Sequence, residues 1–145
     1  MTVADTARRD AGIPGAVQMP LDQLLTTSDI VSLHVPMTPD TRHLMDQKAL
    51  MRMKRGAYLI NTSRGPVVDE AALVWALKER VIAGAALDVY EKEPEIHQGL
   101  FALENALLIP HLASATTETR TAMADLAASN AIAVINGQPP ITPVP

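Results

Sequence analysis

Residues 57–69, AYLINTSRGPVVD, decide the fold. An apolar run over 57–61 ends in a polar turn that carries Gly65 and holds one arginine, Arg64, at its tip. In an open α/β sheet the ligand crevice lies beyond the carboxyl ends of the parallel strands, so an arginine in that turn can face a bound anion. Two further strand ends carry comparable chemistry. AGAALDVYEKEP (83–94) puts Asp88 and Glu93 just past one, and ALLIPHLASAT (106–116) puts His111 just past another. Arginine, acid and imidazole at three successive strand ends suggest a catalytic constellation.

Outward from that turn, Asp69 is placed to cap a helix over 70–80, whose Leu73, Trp75 and Leu77 give a broad apolar face. A strand over 84–89 has almost no polar alternation, so both of its faces should be covered. An acidic loop (91–99) leads to the last strand, 106–110. From 115 to 136 there is neither Gly nor Pro until Gly137, which predicts a helix about 30 Å long. That helix spreads Ala122, Met123, Leu126, Ala131, Ile132 and Ile135 around most of its circumference, so it should bridge to another domain or chain. On the amino-terminal side, Asp46 can cap a helix through 53, and a β-branched run, 30–35, stops at Pro36. A short helix starts at Pro20. Residues 1–20, broken by Gly12, Pro14, Gly15 and Pro20, read as an irregular remnant, and 137–145 as a proline-rich tail. The β-α-β-α-β-β-α order with continuously apolar strands argues for an α/β protein with a parallel sheet and helices on both faces.

At 145 residues and 48% apolar content the chain is the size of one domain over 1–145 and can bury a core. It has no cysteine, so no disulfide framework and no thiolate metal site. The net charge of −4 comes from interspersed acids and bases, which leaves no basic face for nucleic acid. No run of 18 or more apolar residues predicts a membrane span. A cytoplasmic address is the expectation.

With these strand ends in hand, the sequence resembles the D-isomer-specific 2-hydroxyacid dehydrogenases, and most closely their glyoxylate/hydroxypyruvate reductase branch. VSLHVPMTPDTRHLM (31–45), MKRGAYLINTSRGPVVDEAALVWALKE (53–79), AGAALDVYEKEP (83–94) and LLIPHLASATTETRTAMADLAASN (107–130) carry the resemblance, in family order and at family-like spacing. It implies a Rossmann-like fold, NAD as cofactor with NADP not excluded, and a small 2-oxo or 2-hydroxy acid as substrate. It also implies roles: Arg64 as substrate anchor, His111 as acid–base, Glu93 as its partner and Asp88 facing the nicotinamide amide. His34, Val35 and Pro36 with Asn61, Thr62 and Ser63 would line the cofactor, and Asp5 would hold its ribose. The family's substrate domain, first strand and G-x-G-x-x-G turn should precede Met1, so the resemblance describes a truncated nucleotide-binding domain, expected to be inactive and to bind NADH weakly alone. That turn holds a pyrophosphate on backbone N–H groups at a helix N-terminus. Lys54-Arg55-Gly56 stands where family members often carry Lys-Pro-Gly, which should alter only a turn.

Each site residue also has a plainer reading. His111 alone reads as structural more often than catalytic, Arg64 as an exposed turn arginine, and Glu91, Glu93 and Glu95 as solvated charges, with Glu93 the one to move off the surface. His43 reads as surface, and Trp75 and the methionines as core. No metal site is expected, because Glu93, Glu95, His97 and His111 lack a short ligand pair on one helix. The competing function is a non-enzymatic truncated paralogue or corepressor-like interaction module. Because the run IVSLHV (30–35) has no charge, Gly or internal Pro to discourage edge pairing, a homo-oligomer through that edge or the last helix is expected.

Overall fold

The computed structural model describes residues 2–4 and 14–143. The chain divides into two compact units, Met1–Pro110 and His111–Pro145. In the first, β1 (Thr2–Val3) pairs in parallel with β2 (Val17–Gln18). Both short strands fall within the stretch read as irregular. Strands of two residues are too short to show an alternating apolar run.

A four-stranded parallel sheet of order β3-β4-β5-β6 carries the rest of this unit: β3 is Ile30–Leu33, β4 Tyr58–Asn61, β5 Gly84–Leu87 and β6 Ala106–Leu108. Ile30 lies opposite Tyr58, and Tyr58 opposite Gly84. The edge of β3 is not taken by β1 or β2, which pair with each other in a separate sheet.

Three helices follow the strands. α1 spans Leu21–Thr27, α2 Gln47–Arg52 and α3 Glu70–Lys78. Asp46 and Asp69 cap α2 and α3 as their positions require: their carboxylates accept from Ala49 N at 2.8 Å and Ala72 N at 3.0 Å. Leu25 of α1, Leu50 of α2 and Leu73 and Leu77 of α3 share one core with Val31, Leu33, Leu59 and Leu87 of the sheet. The other sheet face carries exposed apolar side chains. Ile30, Tyr58 and Leu107 are 63%, 53% and 63% exposed. Strand side chains alternate between faces, and α1, α2 and α3 all contribute to the core of the same face. The second unit holds α4, Thr117–Ile135, capped by Thr116 and without a buried residue. No helix among the described residues is long and apolar enough to cross a membrane.

Candidate functional site

The Arg64 turn is built from its floor. Asn61, at the last position of β4, is fully buried, and both polar atoms of its side chain are hydrogen-bonded. Its amide nitrogen donates to Arg64 O at 3.0 Å, and its Oδ1 accepts from Ser63 N at 3.1 Å and Ser63 Oγ at 2.9 Å. These bonds fold the chain back at once, as Asn side chains do in turns. Residues Gly65–Val67 continue as a 3₁₀ turn. Gly65 is required because an added Cβ would lie 1.8 Å from Tyr90 O, so this backbone rests directly on the Tyr90–Glu91 backbone.

Above that floor, between the carboxyl ends of β3 and β4, opens a cavity of about 540 Å³ lined by His34, Val35, Pro36, Met37, Thr62, Ser63 and Arg64. Five of the six expected cofactor-lining strand-end residues meet there, together with Arg64. Asn61 does not line it; it supports the turn from below. Met37 was not foreseen, although it directly follows the strand-ending Pro36. His34 Nε2 lies 2.8 Å from Ser32 Oγ. Arg64 is exposed and donates from Nη1 to Ser63 O at 2.7 Å.

Past β5, Asp88 is 1% exposed and its N–H donates to Asn61 O at 3.0 Å. Glu93 is exposed, precedes a cis peptide bond to Pro94, and accepts from Tyr90 N at 3.0 Å through Oε1. Tyr90 fixes the strand ends: its hydroxyl contacts Leu87 O at 3.2 Å and Ile109 O at 2.8 Å. Burial, with the nearby charge of Asp88, holds its phenol above the ordinary value of 10.0.

His111 opens the second unit in left-handed backbone, φ 52°. A residue with a Cβ is strained there, and such strain collects at functional positions. Asp5 lies outside the described residues. Among the described residues no group of three His, Cys, Asp or Glu side chains is disposed to hold a metal ion.

The acidic loop reverses the surface reading of two residues. Glu91 is partly buried and accepts from Glu70 N at 3.2 Å, while Glu70 accepts from Glu91 N at 2.8 Å. His43, read as surface, places Nε2 2.6 Å from Glu91 Oε1. The methionines divide: Met45 and Met53 are core, whereas Met51 and Met123 are 62% and 53% exposed.

Parallel strands whose carboxyl ends frame a crevice, with an arginine on its rim, define the open α/β class of domain in which ligands sit beyond the strand ends. The particular family follows from comparison. The chain belongs to the D-isomer specific 2-hydroxyacid dehydrogenases, whose NAD binding domain matches residues 1–113. It is 57% identical over 129 residues to a glyoxylate reductase of Thermofilum pendens, covering 88% of this chain and 38% of the relative. Among solved structures, it is similar to an NADPH-dependent glyoxylate/hydroxypyruvate reductase from Sinorhizobium meliloti in complex with NADP and malonate, with a TM-score of 0.90 and 38% identity, covering 96% of this chain and 44% of the other. A D-lactate dehydrogenase with NAD+ from Lactobacillus jensenii matches at a TM-score of 0.88 and 29% identity, over 99% and 48% of the two chains. The chain thus spans less than half the length of these relatives.

Proposed function

We propose that this chain furnishes part of the nucleotide-binding domain of an NAD(P)-dependent oxidoreductase that interconverts 2-oxo acids and 2-hydroxy acids of the glyoxylate or hydroxypyruvate kind. The observation that carries the reading is Arg64 on the rim of the strand-end cavity, beside Thr62 and Ser63. A guanidinium there clamps a carboxylate with two parallel hydrogen bonds, which lysine cannot reproduce.

His34, Val35, Pro36, Thr62 and Ser63 are the surfaces against which a nicotinamide dinucleotide would rest, with Asn61 holding the turn. Asp88 is assigned to the carboxamide and Asp5 to the ribose. When bound, the dinucleotide supplies or receives the hydride at substrate C2. The chain's own residues do the rest. Arg64 orients the carboxylate, and His111 gives a proton to the ketone oxygen during reduction and recovers it during oxidation. Glu93 is assigned as its acidic partner. The relatives bound to NADP and to NAD+ support either dinucleotide as cofactor. A non-enzymatic module has no observation in its favour.

The same proposal sets the protein in the cytoplasm, where a chain without cysteine loses nothing. It also includes self-association with a second copy, through the β3 edge or the exposed Met123, Leu126, Ile132 and Ile135 of α4. The reaction is tested by exchanging this chain for the matching segment of a full-length glyoxylate reductase relative. The chimera should oxidise NADH or NADPH when glyoxylate or hydroxypyruvate is supplied; a folded chimera inert toward both would oppose the proposal.

A further inference from the structure

Behind the Arg64 turn, outside the cavity, two loops meet the start of α3 at a cluster that no step of the proposed reaction uses. His43 sits in left-handed backbone, φ 51°. A side-chain-bearing residue stays in that region only where its surroundings hold it. Here it is held on two sides. Its backbone N–H donates to Pro66 O at 2.8 Å, two residues beyond Arg64, and its Nε2 lies 2.6 Å from Glu91 Oε1.

Glu91 uses its other carboxylate oxygen to accept from Glu70 N at 3.2 Å, and its own N–H donates to Glu70 Oε1 at 2.8 Å. Glu70 is 5% exposed. Each glutamate therefore closes on the other's amide, and the imidazole completes the cluster from a third segment. Hydrogen bonds to ionised groups are the stronger kind, and partial burial strengthens them further. Two residues past Glu91 stands Glu93, itself turned back onto Tyr90 N at 3.0 Å.

We propose that His43 and Glu91 are positioning residues that lock the Arg64 turn to the Glu93 loop, an inference that rests on reading Arg64 and Glu93 as site residues. The backbone contact at Gly65 sets how near the two segments come. The clamp sets their register, because the segment bearing His43 touches one through its backbone and the other through its ring.

Two variants of the full chain separate this from simple packing. His43→Gly relieves the left-handed backbone but removes the ring, whereas His43→Gln retains an N–H donor of similar reach. Amide hydrogen exchange at Tyr90 and Glu91 should accelerate about tenfold in His43→Gly, return in His43→Gln, and stay unchanged within β4 and β5. Oxalate, as a carboxylate probe read by titration, should bind about tenfold more weakly to His43→Gly and recover to within about twofold in His43→Gln. Unchanged exchange in His43→Gly, or acceleration that His43→Gln does not reverse, overturns the clamp. So does acceleration spread through β4 and β5, which assigns His43 a plain structural role. A wild-type chain that ignores oxalate defeats the reading of Arg64 as an anion anchor, while the exchange comparison still decides the clamp.

Discussion

Gly65→Ala is the sharpest perturbation of the site scaffold. A methyl group at Gly65 would stand 1.8 Å from Tyr90 O, 1.9 Å from Tyr90 C and 2.6 Å from Glu91 N. Non-bonded heavy atoms settle at about 3.5 Å, so the turn and the loop must part by roughly 1.5 Å. Both partners are backbone, and no rotamer change relieves the clash. Separation would stretch the Glu91 N–H bond to Glu70, 2.8 Å long, and the cradle under Arg64 with it. Overpacking costs about 1–3 kcal/mol, and a backbone-on-backbone clash belongs at about the upper end. For a chain of this size that lowers Tm by roughly 10 °C. Thermal unfolding followed by circular dichroism reads the shift, with Gly56→Ala as control, since nothing lies within 4 Å of a methyl group there. A Gly65→Ala protein melting within about 1 °C of wild type would refute the reasoning.

Tyr90→Phe removes the hydroxyl that reaches Ile109 O and should cost about 1 kcal/mol in urea unfolding at neutral pH. Because burial and then Asp88 hold the Tyr90 phenol above 10.0, the unfolded chain releases its proton first; the stability is complete below pH 10 and falls as pH rises through the folded value. The slope of unfolding free energy above pH 10 should therefore be shallower in Tyr90→Phe, and equal slopes would remove Tyr90 as its source. In the chimera, His111→Asn should lower kcat by about 10²-fold or more, as loss of a general acid does, and a smaller effect in steady-state rates would demote His111. Light scattering at tens of micromolar should report a dimer or larger species; a stable monomer would count against association through the β3 edge or α4.

Much of this was legible in sequence because it is local. Asp46 and Asp69 announce their helices through the capping geometry that a short acidic side chain makes possible, and apolar runs ending in Pro36, Asn61 and Asp88 announce strand ends. Six expected residues meet at one cavity because parallel strands bring their carboxyl ends to the same side. What escaped depends on packing that composition does not record. Glu91 meets partners 21 and 48 positions away, and a run of acidic residues has the same composition whether it is solvated or clamped. Asn61 lies at the right strand end, but its burial beneath the turn follows from bonds its own side chain makes to Ser63 and Arg64. Single-residue alternation likewise hid the exposed sheet face, since Ile30, Tyr58 and Leu107 are as apolar as their buried neighbours.

Oxalate titration of the full chain followed by nuclear magnetic resonance tests most directly whether Arg64 anchors a carboxylate at the strand-end cavity. Saturable shifts are expected at the Arg64 guanidinium and the amides of Thr62, Ser63 and Gly65, lost in Arg64→Lys, because a lysine cannot present the paired N–H fork. Saturable oxalate binding that survives Arg64→Lys undiminished, or shifts confined to residues away from the cavity, would contradict that role of Arg64.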